Sequence, residues 1–137
     1  KSENGNEYAV TLICDLTKYL VAIPIANKSA KTVAKAIFES FILKYGPMKT
    51  FITDMGTEYK NSIITDLCKY LKIKNITSTA HHHQTVGVVE RSHRTLNDIR
   101  YTILHIGGQN RLYCFNTTPS MVHNYCPYEL VFGRTSN

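Results

Sequence analysis

The order of its short apolar runs constrains this fold more than any other feature. Two β-branched stretches, YAVTLIC (8–14) and KYLVAIPI (18–25), come first and are separated only by DLT. They predict a strand pair closed by a tight turn. ANKSAKTVAKAIFESFILKYGP (26–47) then changes period and predicts a helix. Ser29 suits the N-cap, Val33, Ala34, Ile37, Phe38, Phe41, Ile42 and Tyr45 form one apolar stripe, and Gly46-Pro47 stops it. TFITD (50–54) predicts a short buried strand ending in an acid, followed by the turn MGTEY. NSIITDLCKYLKI (61–73) predicts a second amphipathic helix and KNITST (74–79) another short strand. A helix is expected from about Val88 to His105, closed by Gly107-Gly108. The remainder predicts a short helix near 111–117 and loops around Pro119 and Pro127. Strands first, then alternating helix and strand, give an α/β class: a mixed β-sheet flanked by helices.

At 137 residues the chain supplies one domain, 1–137, with enough apolar content for a single core. No apolar run approaches the ~20 residues that span a bilayer, so no membrane partner is expected. The opening KSENGNEY lacks the basic-then-apolar layout of a secretory signal. Cys14, Cys68, Cys114 and Cys126 are far apart and form no CxxC pair, which fits reduced thiols in an intracellular protein. The sequons at Asn27, Asn75 and Asn116 are then accidents of composition. A net charge of +6 permits an anionic partner such as nucleic acid.

The chemistry-bearing residues gather in HHHQTVGVVERSHRTL (81–96) and just after TFIT. Adjacent residues of an extended loop point in alternating directions, so His81, His82 and His83 cannot readily share one metal. Zinc spacings such as HExxH are also missing, which leaves the histidines a loop role. Glu90 starts a helix on which Arg94 and Asn97 fall at i+4 and i+7, one polar face. Alone, Glu90 could answer the helix dipole and Asp54 could be a turn residue before Gly56. Together they are two carboxylates, one after a strand and one at a helix start, with 35 residues between them. Oxygen ligands of this kind suit Mg²⁺ or Mn²⁺, the ions of phosphoryl transfer.

ITDMGTEY and HHHQTVGVVERSHRTL resemble the second and third acidic blocks of a retroviral-type DDE integrase core. HxQTxGxxERxHRTL is similar to the integrases of gypsy-type LTR retrotransposons. The tail NTTPSMVHNYCPYELVFGR resembles the same family's terminal segment, so the likeness covers nearly the whole chain. It implies an RNase H-like fold and two-metal polynucleotidyl transfer: 3′-end processing and strand transfer, with Mg²⁺ or Mn²⁺ as cofactor. The implied partners are element ends and target DNA, with action in a homo-oligomer in the nucleus and cytoplasm. By resemblance, Asp54 and Glu90 are the second and third acids of the triad and its metal ligands. His82 and Gln84 match a DNA-approaching loop hinged at Gly87, and Arg94 and Asn97 match positions that touch DNA.

The resemblance also places the first acid. In the family it lies on a strand ahead of a polar loop, and KSENGNEY resembles that loop. The first strand and its aspartate are therefore expected before Lys1, and Asp15 is expected to be a turn residue. Residues 1–137 would then form a partial core with impaired catalysis. The stretch after Arg100 is also shorter than the family's and lacks its tryptophan segment. Two other readings follow: a non-enzymatic remnant that binds DNA or dimerises, and another RNase H-like nuclease, which the HxQTxGxxER block and FGR tail oppose.

Overall fold

The computed structural model describes residues 5–53, 56–77 and 109–136. These fall into two compact units: residues up to Pro24 with the carboxyl-terminal segment, and the residues from Ile25 to Thr77.

In the first unit, β1 (Tyr8–Ile13) and β2 (Leu20–Ile25) form the expected pair. The turn is closed by the Cys14 amide donating to the Tyr19 carbonyl at 2.9 Å and the Lys18 amide donating to the Cys14 carbonyl at 2.9 Å. Lys18 takes a left-handed φ of 58° to make the reversal. Val10, Leu20 and Ile23 carry the strands' buried side. The carboxyl-terminal segment adds α4 (Gln109–Thr117) and α5 (Pro127–Phe132), which pack on each other.

A loop was expected around Pro127, and a helix stands there. Proline lacks only an amide that the first helical turn leaves unpaired anyway, so Pro127 opens α5 rather than breaking it. Gly133 closes α5 with φ 64°, and its amide donates to the Glu129 carbonyl at 2.8 Å.

In the second unit, α1 (Ala30–Ile37) begins at Ser29, whose hydroxyl accepts from the Thr32 amide at 3.2 Å as a side-chain cap. The helix then widens into a π-turn over Phe38–Ile42 and ends in α2 (Leu43–Tyr45). The extra residue in that turn rotates everything beyond it. Val33, Ala34, Ile37 and Ile42 are buried as the stripe predicts; Tyr45, beyond the turn, is exposed, and so is Phe38, where the turn begins. Gly46, at φ 84°, ends the helix; its amide donates to the Ile42 carbonyl at 2.9 Å.

β3 (Thr50–Thr53) pairs in parallel with β4 (Lys74–Thr77), register Thr50↔Lys74 through Thr53↔Thr77. The sequence predicts a buried strand here, and β3 is buried on one side only: Phe51 and Thr53 are buried while Ile52 is 62% exposed. Between the strands runs α3 (Ser62–Tyr70), capped by the Asn61 side chain accepting from the Ile64 amide at 3.0 Å. α3 lies on α1, with Ile64 and Cys68 buried. One unit holds a hairpin and the other a parallel strand–helix–strand, the mixed α/β content that the sequence predicts.

Candidate active site

Every residue assigned to the site from sequence, Asp54, His82, Gln84, Glu90, Arg94 and Asn97, lies outside the described residues. What the structure builds is the frame from which both acidic blocks depart. Because β3 and β4 are parallel and in register, their carboxyl ends lie side by side at Thr53 and Thr77. Asp54 is the next residue after β3, and the segment containing Glu90 is the chain that follows β4. Open α/β sheets place their ligands outside such carboxyl ends.

The turn after Asp54 is held back against β3. Tyr59 and Lys60 donate their amides to the Gly56 carbonyl at 3.0 and 3.1 Å. The Tyr59 ring meets Phe51 edge-on at 6.3 Å, which ties the turn to the strand before the acid. Asn61 also donates its side-chain amide to the Glu58 carbonyl at 2.7 Å, fixing the step from turn to α3.

Asp15 sits in the β1–β2 turn as expected. Its side chain is 98% exposed and pairs with Lys18 at 2.7 Å, a local i,i+3 contact at the surface. Among the described residues, no group of three or more His, Cys, Asp or Glu side chains is arranged to hold a metal. None of the described helices is long and apolar enough to cross a membrane.

The tail motif has a structural basis that the sequence did not reveal. Asn116, only 4% exposed, grips Leu20 at both polar groups: its Oδ1 accepts from the Leu20 amide and its Nδ2 donates to the Leu20 carbonyl, each at 2.9 Å. His123 reaches the same hairpin, with Nε2 at 3.3 Å from the Thr17 carbonyl, while its Nδ1 accepts from the Tyr125 amide at 3.2 Å. That pairing assigns the proton to Nε2, which then donates to Thr17. Phe132 meets Tyr19 edge-on at 5.7 Å, and Arg134 donates to the Tyr128 hydroxyl at 3.2 Å. The Asn, the His and the PYELVFGR segment thus dock the tail on the hairpin. In sequence, Asn116 stood out only as a sequon and a motif letter; its burial leaves no room for a glycan.

The Cys14 thiol lies below the ordinary thiol range. Partial burial pushes it up, but hydrogen bonds from the Thr17 hydroxyl and from the Thr17 and Leu16 amides outweigh that. Burial pushes the Cys68 thiol up.

Comparison with known proteins gives one consistent family. The integrase core domain family matches residues 1–83. The chain is 85% identical to part of the retrovirus-related Pol polyprotein from transposon 412 of Drosophila melanogaster, over all of this chain and 12% of that polyprotein. It therefore spans about an eighth of the length of that relative. Among solved structures, the catalytic core domain of BIV integrase is similar with TM-score 0.68 and 23% identity, covering 91% of each chain. A chain of the simian T-cell lymphotropic virus intasome in complex with the PP2A regulatory subunit B56 gamma is similar with TM-score 0.74 and 17% identity, covering 96% of this chain and 50% of that one. With the parallel β3–β4 unit, the helices on it and the docked tail, these likenesses give an RNase H-like fold. The chain belongs to the integrase core domain family.

Proposed function

We propose that this chain contributes to DNA integration by polynucleotidyl transfer, joining element ends to target DNA in the nucleus as part of an oligomer. One observation carries the reading. The two acidic blocks, with 35 residues between their acids, follow the neighbouring carboxyl ends of an in-register parallel strand pair in an integrase-family chain.

Carboxylate oxygens are the donors that Mg²⁺ and Mn²⁺ prefer, so Asp54 and Glu90 suit such an ion as ligands. When bound, it would withdraw charge from the phosphodiester oxygens at the reacting phosphorus. The other assignments concern the chain's own side chains. Arg94 would grip a phosphate, Asn97 would hydrogen-bond to DNA, and His82 and Gln84 would approach the strand from their loop. Asp15 has no part in this reading. It is committed to Lys18 in a surface turn, and the first acid is assigned to residues preceding Lys1.

The test is a disintegration assay with Mn²⁺ and branched DNA. It compares residues 1–137 with the same chain extended by the residues encoded immediately upstream. Turnover is expected only from the extended chain, abolished by Asp54→Asn or Glu90→Gln and untouched by Asp15→Asn. Robust turnover by residues 1–137 that disappears in Asp15→Asn would overturn this assignment and make Asp15 the first acid.

A further inference from the structure

The end of the β3–β4 unit opposite Asp54 is built from lysines. Lys49 precedes β3 and Lys74 opens β4, and the Lys74 amide donates to the Lys49 carbonyl at 3.0 Å. Lys69 lies in the last turn of α3, and its carbonyl accepts from the Lys72 amide at 3.1 Å. Lys72 takes a left-handed φ of 56°, reversing the chain so that Ile73 can be buried. The Ile73 amide donates to the Cys68 carbonyl at 2.8 Å, which pins this reversal to the core.

Four lysines from three separate stretches are thus held at one end of the unit by backbone hydrogen bonds, and all four are exposed. The ion pairs among the described residues, Asp15–Lys18 and Lys35–Glu39, involve none of them. Asp66, the acid on α3, lies one turn before Lys69 and makes no ion pair with it. Clustered like charges repel one another, and a polyanion laid across them relieves that repulsion while releasing its own counterions. At ~3.3 Å per residue, the four-residue length of β3 sets this end roughly 10–13 Å from the end that leads into Asp54.

We propose that Lys49, Lys69, Lys72 and Lys74 form a second nucleic-acid-binding surface, which takes the phosphodiester backbone without reading base sequence. It is separate from the acidic site and needs no divalent ion. A strand seated there runs past the opposite end of the sheet from the chemistry.

The probe is a fluorescent 30-base-pair duplex of arbitrary sequence, bound to the chain in EDTA across roughly 50–200 mM salt. Each lysine–phosphate contact contributes about 0.9 to the slope of log affinity against log salt. Alanine at positions 49, 69, 72 and 74 together is expected to flatten that slope by about 3–4. The same charge loss at Lys18, Lys28, Lys31 and Lys35 should flatten it by less than about one, and arginine at the four proposed positions should preserve it. If the quadruple alanine variant loses its far-ultraviolet CD signal, the four single variants are read instead, each expected to lower the slope by about 0.9. An unchanged slope, or equal losses in the two lysine sets, overturns the proposal. EDTA keeps this result independent of the metal-dependent assay.

Discussion

The Asn116 side chain satisfies both the amide and the carbonyl of Leu20, acting as a strand partner on β2. The Cys14 amide already donates to Tyr19, so by antiparallel alternation the polar groups of Leu20 face away from β1. A single side chain therefore serves two buried backbone groups that would otherwise be unpaired.

Asn116→Leu should destabilise the chain by about 2–6 kcal/mol, since each of the two orphaned groups costs about 1–3 kcal/mol. Asn116→Asp keeps the acceptor for the Leu20 amide and should lose less. Urea denaturation followed by far-ultraviolet CD measures both. A loss under about 0.5 kcal/mol in the leucine variant would show that water serves Leu20 equally well.

The core of the second unit offers an internal contrast on α3. Ile64 is 1% exposed, packed where α3 meets α1, and Ile64→Ala should cost about 2–5 kcal/mol. Tyr70, six positions on, is 86% exposed, and Tyr70→Ala should change stability by no more than about 0.5 kcal/mol. Equal losses in thermal melts would mean that the buried face of α3 has been misassigned.

The thiols should separate by pH. Cys14 is exposed and its thiol is held below the ordinary range, so its thiolate fraction rises at lower pH than that of a free cysteine. Because the folded state favours this thiolate, the associated stability is present above the unfolded-state value and is lost as pH falls through the folded one. Iodoacetamide labelling read by peptide mass should modify Cys14 first, below pH 9, while buried Cys68 stays unmodified until unfolding. Thr17→Val removes one of the lowering hydrogen bonds and should shift the Cys14 labelling profile to higher pH. A profile unmoved by that change would assign the effect to the amides alone.

Metal binding tests the acid assignment apart from turnover. Free Mn²⁺ followed by electron paramagnetic resonance should bind residues 1–137 weakly. Asp54→Asn or Glu90→Gln should each weaken it further by at least about tenfold. Affinity that survives both changes but falls in Asp15→Asn would place the ion elsewhere.

Much of the fold was legible because its signals are local. Ser29 caps α1 as a side-chain acceptor, Gly46 stops its continuation, and the period changes mark each element. The π-turn was not legible, because widening by one residue leaves no sign in the apolar stripe until Tyr45, beyond it, is seen exposed. Nor was α5, because a proline after a loop reads as a break unless the residues behind it are known to be helical. Of the candidate site, sequence supplied the acids and their spacing, and the structure supplied the in-register strand ends at Thr53 and Thr77 from which they depart. The Asn116 clamp stayed hidden for a different reason. Its partner lies 96 positions away, and nothing about an asparagine in sequence names a distant backbone.

That separation also sets an order of events during synthesis. At about 5–20 residues per second, the β1–β2 hairpin leaves the ribosome roughly 5–20 seconds before the asparagine that completes it. Hairpins form in microseconds, but an isolated two-stranded pair is marginal in water. For that interval the nascent chain holds a strand whose outward polar groups wait for a helix not yet made, and until the tail arrives any other extended segment can compete for them.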